Sequence, residues 1–349
     1  MLSLTPTPLA NSFPDHPDTD AERFPLDVTQ CILCDHVQLG SAPAVDWVDY
    51  RYATPEAVRP HLAAAASVLR GTYPEAKTVL EIGCNNGLYL EELRRVGFSA
   101  VGIDPSTTVG IARPFSHYYA KMFLEPVDLI VANNVLAHVD DLWDVFRGID
   151  HLLKDDGALV FEVQYFPYMV RDGSFDMIYH EHRDYHTLAP WPAFLKRFGL
   201  FITKVEPIPT HGGSVRIFCE RPGVGVWCIP NEATDWRAFK HRIADAKAVV
   251  FAQVAAADGP IVAFGATAKA CTLIHHFGLA DLIDYCVDST PGKRQRYIPG
   301  TSIQIVSPDV IGPEITILLT AWNFETEIRA QFTHNKFIVP FSKEVVCPV

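Results

Sequence analysis

From Lys77 onward the chain alternates short apolar runs with stretches of helical periodicity, and this alternation constrains the fold more than any other feature. Thr78-Val79-Leu80-Glu81-Ile82-Gly83 reads as a strand, after which Leu88, Leu90 and Leu93 recur at helical spacing. Residues 100–103 form a second apolar run ending at Asp104, and residues 127–132 a third ending at Asn133-Asn134. A helix is expected from about 141 to 153, stopped by Asp156-Gly157, followed by a fourth strand over 158–163. Strands joined through helices pair in parallel, which predicts a doubly wound α/β sheet whose ligand sits beyond the carboxyl ends of the strands.

The pattern does not cover the whole chain. Two further strands, around 201–207 and 215–219, flank Thr210-His211-Gly212-Gly213-Ser214, and Arg221-Pro222-Gly223-Val224-Gly225 reads as a linker. After an amphipathic helix over about 234–256, a second α/β unit begins. It has a strand over 261–264, the loop Gly265-Ala266-Thr267-Ala268-Lys269, a helix, a strand ending at Asp288 and a strand over 315–319. Residues 1–60, rich in proline and aspartate, predict a small loop-rich module. At 349 residues the chain exceeds one ordinary core, and the expected division is 1–60, 61–222 and 230–349.

Composition excludes several classes. A net charge of −12 offers no basic face for duplex nucleic acid. No apolar run approaches the ~18 residues that span a bilayer, and no signal peptide is visible, so a cytoplasmic setting is expected. The eight cysteines, scattered through strands and loops, read as reduced thiols.

The first loop, Glu81-Ile82-Gly83-Cys84-Asn85-Asn86-Gly87, lacks the G-x-G-x-x-G of dinucleotide sites. Gly83 and Gly87 let the backbone approach a ligand closely. An acid just before the loop suits an ammonium or sulfonium group, and Asp104 can accept from ribose hydroxyls. S-adenosylmethionine carries all of these groups. Its expected contacts are Glu81, Gly83, Cys84, Asn85, Asn86, Gly87, Asp104, Asn133 and Asn134.

Tyr179-His180-Glu181-His182 brings two imidazoles, a carboxylate and a phenol together downstream of that loop. Read alone, it is a polar loop, a set of metal donors or a proton-transfer group; it lacks the H-E-x-x-H spacing of zinc enzymes. Methylation at carbon needs removal of a C–H proton beside a carbonyl, hence a base and an enolate stabiliser together. His182 suits the base because an imidazole is largely neutral near pH 7. Tyr179 or His180 would donate to the enolate oxygen, and Glu181 would orient an imidazole. His138, just beyond the third strand, faces the same side of the sheet.

These segments together resemble the S-adenosylmethionine-dependent C-methyltransferases of deoxysugar biosynthesis, which act on nucleotide-linked 4-keto-6-deoxysugars, usually at C3. The matching blocks are residues 81–90, 131–139, 179–182 with Tyr185, 211–214 with Arg216, 265–269, 291–301 including Tyr297, and Trp322-Asn323. The resemblance implies a Rossmann-like cofactor domain followed by a C-terminal α/β domain that holds the nucleotide diphosphate. It implies that His182 takes the C3 proton, with Tyr179, Glu181 and His138 in the same pocket. It places substrate contacts at His180, Tyr185, His211, Ser214, Arg216, Gly265, Thr267, Lys269, Lys293, Tyr297, Trp322 and Asn323. Arg294 and Arg296 read as solvated surface instead.

Two departures accompany the resemblance. Relatives carry two C-x-x-C pairs for a structural zinc, whereas only Cys31 and Cys34 are present here, with His36 a conceivable third ligand; two thiolates leave a four-coordinate site incomplete, so zinc is not expected. Between Asp104 and Val127 most of a helix-strand unit is missing, which removes residues that would contact the adenine. A methyltransferase acting on another activated carbonyl compound, or a nucleotide-sugar binding protein without catalysis, also fits these residues.

Overall fold

The computed structural model describes residues 1–45, 54–221 and 233–341. Of the linker expected at 221–225, residues 222–225 lie outside the described residues. Three strands open the chain: β1 (Leu2–Thr7), β2 (Phe24–Gln30) and β3 (Val37–Leu39) pair in antiparallel order. This corrects the loop-rich expectation for residues 1–60. Each strand turns only two or so apolar side chains inward, Leu2 and Leu4, Leu26 and Val28, Val37 and Leu39, so the alternation is too short to stand out among prolines and aspartates.

The second unit follows the predicted order closely. It contains α1 (Arg59–Thr72), β4 (Thr78–Ile82), α2 (Leu88–Arg95), β5 (Ser99–Ile103), α3 (His117–Phe123), β6 (Val127–Asn133), α4 (Leu142–Leu152), β7 (Leu153–Gln164), α5 (Phe166–Asp172), β8 (Asp184–Tyr185), α6 (Trp191–Leu195), β9 (Phe201–Ile208) and β10 (Ser214–Glu220). The sheet runs β5-β4-β6-β7-β10-β9, parallel through β7, with β10 antiparallel to both of its neighbours. Both faces are buried in alternation. Val79, Leu129, Val131 and Val160 meet Leu69, Leu90 and Leu93 on one side; Leu80, Ile130, Leu159 and Phe161 meet Phe146 and Ile149 on the other. Strand β7 starts at Leu153, directly after α4, rather than after Asp156-Gly157; the irregular register between Val127 and Leu129 absorbs the turn residues into the strand. Beyond edge strand β5 the described residues add only an isolated bridge between Ile103 and Ile111. Strand β8 pairs with β3 and ties the unit to the N-terminal sheet.

The third unit holds α7 (Trp236–Ala255), β11 (Ile261–Phe264), α8 (Ala268–Phe277), β12 (Tyr285–Val287), β13 (Ile305–Val306), β14 (Thr316–Leu318), α9 (Glu325–Gln331) and β15 (Lys336–Ile338). Its all-parallel sheet runs β13-β12-β11-β14-β15. One continuous core joins it to the N-terminal sheet and α5, with Leu4, Leu26, Phe166, Phe239, Leu273 and Phe277 in contact through buried neighbours. Among the described residues no helix is long and apolar enough to cross a membrane.

Candidate active site

A cavity of about 760 Å³ opens where the carboxyl ends of β4, β5, β6 and β7 face the loop after β11. The two α/β units therefore share one site.

At one end lies the loop after β4. Gly83 adopts φ +78°, and a Cβ there would stand 2.8 Å from a Val135 methyl, so the tight approach requires glycine. Glu81 is buried and its Oε2 has no hydrogen-bond partner. Burial first, then the charge of Asp104, push its carboxyl well above the ordinary range. The Asn133 side-chain amide nitrogen is likewise buried without a partner. Such orphaned groups beside a cavity call for a ligand with a cation and an acceptor, which fits the amino acid end of S-adenosylmethionine. Asp104 accepts from the Asn85 backbone N–H at 3.1 Å, from the Ser106 N–H at 2.8 Å and from the Ser106 hydroxyl at 2.7 Å. It thus shapes the loop as well as facing the cavity. Cys84, whose thiol burial pushes up to about 12, Asn85 and Asn134 also line the cavity. Asn86 and Gly87 do not; the Asn86 amide donates to the Thr54 carbonyl, and Gly87 caps α2. Between β5 and α3, Pro105, Ser106, Pro114 and Phe115 line the cavity.

In the middle of the cavity His182 donates from Nδ1 to the Met177 carbonyl at 2.8 Å, and its Nε2 accepts from the Tyr179 hydroxyl at 2.7 Å. A carbonyl at Nδ1 accepts only, which fixes the tautomer and leaves the lone pair on Nε2. The Tyr179 and His182 rings lie 4.0 Å apart. His138, with its ring 4.6 Å from that of His182, donates from Nδ1 to the Glu181 carbonyl at 2.9 Å. Burial holds His138 at about 4, and burial, followed by the neighbouring His138, holds His182 well below the usual imidazole value. Both rings are neutral at pH 7.

Several expected residues fall elsewhere. His180 bonds the Pro25 carbonyl at 3.2 Å, away from the cavity, and serves the N-terminal sheet. The Glu181 carboxylate accepts from the Asn11 backbone and side-chain amides, each at 3.0 Å; it orients no imidazole, and only its backbone carbonyl holds His138. Tyr185 packs on Phe166. The Ser214 hydroxyl donates to the Thr210 carbonyl at 3.1 Å. Arg216 is spent on Glu162 at 2.5 and 2.8 Å and on Glu206 at 3.4 Å. Tyr297 meets Pro14 of the N-terminal module. Trp322 lies under Lys269 and donates to Asp176.

His211 lines the cavity near His138 and His182, and at the far end lie Gly265, Thr267, Lys269, Lys293 and Asn323. Thr267 caps α8 by accepting from the Ala270 N–H. The Lys269 ammonium donates to Asn323 Oδ1 at 2.5 Å, and that of Lys293 to the Ala266 carbonyl at 2.8 Å. Both lysines are buried.

The sequence reading missed Asn11, His61, Tyr89, Glu162, Gln164 and Phe115 among the lining residues. Glu162 had a signal, a lone carboxylate within an apolar strand. It accepts from His61 at 3.0 Å, and although burial alone raises its pKa, His61 and Arg216 outweigh burial and hold it below the ordinary value. Cys31 and Cys34 are exposed, and His36 bonds Asp184 at 2.6 Å. No group of three or more metal-binding side chains comes together among the described residues.

Residues 50–205 match a family described as a methyltransferase domain, and residues 229–341 one described as the C-methyltransferase C-terminal domain. C-methyltransferase NovU of Streptomyces niveus is 30% identical over 97% of this chain and 92% of its own. The mitochondrial ubiquinone biosynthesis O-methyltransferase of Bos taurus is 30% identical over 23% of this chain and 27% of its own. Among solved structures, a Burkholderia thailandensis 1,6-didemethyltoxoflavin-N1-methyltransferase with bound 1,6-didemethyltoxoflavin and S-adenosylhomocysteine is 14% identical, covering 56% of this chain and 100% of that one, with a TM-score of 0.38. The match to a C-methyltransferase over nearly the whole length of both chains, together with both domain matches, places this chain in the family of S-adenosylmethionine-dependent C-methyltransferases.

Proposed function

We propose that the enzyme methylates the carbon next to the keto group, C3, of a nucleotide-linked 4-keto-deoxysugar, and that His182 takes the proton from that carbon. One observation carries the reading: a single cavity holds a neutral imidazole with a lone pair on Nε2 and, at its far end, two buried lysines. The first suits a carbon acid, and the second suits a diphosphate.

Glu81 and Asn133 would hold the amino acid end of the cofactor, and Asp104 its ribose. When bound, S-adenosylmethionine supplies an electrophilic methyl group on a sulfonium. The chain's own part is proton chemistry. The C–H bond breaks, its electron pair moves toward the keto oxygen as an enolate, and the proton passes to Nε2 of His182. Tyr179, already hydrogen-bonded to Nε2, yields that position and turns its O–H toward the enolate oxygen, where a donor lowers the barrier. The Met177 carbonyl stabilises the imidazolium through Nδ1–H. Lys269, at the N-terminus of α8, and Lys293 hold the diphosphate, so residues 230–349 supply the nucleotide-sugar contacts and residues 61–222 those of the cofactor.

Incubation with methyl-labelled S-adenosylmethionine and a panel of nucleoside diphosphate 4-ketosugars tests the substrate class. Label at the carbon beside the ketone of at least one sugar is expected. Label appearing only on carbonyl compounds that lack a nucleotide would overturn the reading.

A further inference from the structure

The turn that holds the base is itself held by the C-terminal unit. Residues 175–177 form one 3₁₀ turn, and three consecutive residues reach out from it. Asp176, fully buried, accepts from the Trp322 indole N–H at 2.7 Å. The Met177 carbonyl takes the Nδ1–H of His182. The Ile178 carbonyl accepts from the Thr272 hydroxyl of α8 at 2.8 Å. The C-terminal unit thus clamps the chain on both sides of Met177.

A carboxylate is a costly way to satisfy one indole N–H in an apolar place. Lys269 supplies the reason for it. Its ammonium lies 4.0 Å above the Trp322 ring and lines the cavity. Burial pushes Asp176 up to about 6, against the pull of Lys269 and of Trp322. Gly212, at φ +83°, presses the other part of the indole, since a Cβ there would come within 2.5 Å of it. The indole is therefore fixed in place between the lysine that faces the substrate and the turn that faces the base.

We infer that Asp176 and Trp322 are positioning residues for His182: their hydrogen bond sets the Met177 carbonyl and so keeps the imidazole proton on Nδ1 and the lone pair on Nε2. This rests on the reading of His182 as the base. If the Met177 carbonyl turns away, Nδ1 loses its acceptor and the Nε2–H tautomer gains population. That tautomer carries a proton on the atom that must accept one. The same arrangement ties the end of the cavity that holds anions to the end that moves protons.

The test uses the full chain with 15N-labelled histidine. Two-bond 1H–15N spectra report each imidazole tautomer, and the His182 signal is found by its loss in His182→Asn. Turnover is followed with S-adenosylmethionine and a nucleoside diphosphate 4-keto-6-deoxysugar, and cofactor binding with S-adenosylhomocysteine. Trp322→Phe and Asp176→Ala are expected to shift His182 toward the Nε2–H form. They should lower kcat by about 10²-fold, the scale of a misplaced catalytic group, with S-adenosylhomocysteine affinity unchanged. Asp176→Asn, whose amide oxygen still accepts from the indole, should recover most of the tautomer and of the lost kcat. A wild-type His182 spectrum and wild-type kcat in folded Trp322→Phe would overturn the inference. Turnover surviving in His182→Asn would overturn the base assignment alone, and the tautomer shift stands or falls separately from it.

Discussion

Replacing Glu81 by glutamine separates cofactor binding from protein damage, because the two effects have opposite signs. In the wild-type protein the carboxyl is buried, Oε2 has no partner, and burial with the nearby Asp104 drives its pKa well above the usual value. The folded protein without cofactor therefore keeps a proton that the unfolded chain releases. Its stability falls as pH rises from the unfolded value near 4.5 toward the elevated folded one. Glutamine is the same size, carries no titrating proton and removes that slope, so the free variant should be no less stable than wild type at pH 7. Binding a cationic amine is another matter. The ionised carboxylate gains a charge-assisted hydrogen bond worth about 1.5–3 kcal/mol, and losing it weakens affinity by roughly 10- to 150-fold. Calorimetry with S-adenosylhomocysteine should show that loss in Glu81→Gln, and a wild-type affinity that tightens as pH rises through the Glu81 titration. Equal affinity in variant and wild type, or weaker binding with a matching drop in stability, would exclude Glu81 as the partner of the cofactor amine.

Three further outcomes are expected. Lys269→Ala should raise the KM for the nucleotide sugar by about 10- to 100-fold while leaving S-adenosylhomocysteine binding intact; an unchanged KM would remove Lys269 from the diphosphate site. Burial, and after it His138, depress the pKa of His182, so at saturating cofactor kcat/KM for the nucleotide sugar should stay level from pH 8 down through 6.5 and fall only at distinctly lower pH, when Nε2 takes a proton; a midpoint at or above 6.5 would contradict a buried neutral base. Gly83→Ala, with its Cβ forced against Val135 at positive φ, should abolish cofactor binding as judged by calorimetry, whereas retained binding would mean that the loop after β4 is more tolerant than its geometry implies.

The sheet around the cofactor loop was legible because its strands are local signals. Residues 78–82, 127–132 and 158–163 turn apolar side chains to both faces, and they run into Gly83, Asn133 and Gln164 at the rim of the cavity. The N-terminal sheet was not, since Leu2 and Leu4 or Val37 and Leu39 give two inward positions per strand, too few for a period to emerge. The four polar residues 179–182 could be singled out from their chemistry, but their division of labour could not. Consecutive residues on an irregular turn point in different directions, so Tyr179 and His182 meet over the cavity while His180 and Glu181 turn to Pro25 and Asn11. Asn11 lies 170 positions from Glu181 and Asp176 lies 146 from Trp322, separations at which no pattern along the chain marks a pair. Arg216 is expected at the substrate on the family resemblance alone; the ion pair with Glu162 on the adjacent strand claims it instead.

Exchange of the sugar proton reads proton removal by His182 apart from methyl transfer. Wild-type enzyme, S-adenosylhomocysteine and a nucleoside diphosphate 4-keto-6-deoxysugar in deuterium oxide should incorporate deuterium at C3, seen by NMR and mass. His182→Asn should bind both ligands and lose that exchange by 10²-fold or more, the range of general-base catalysis. Undiminished exchange at C3 in His182→Asn would contradict the account.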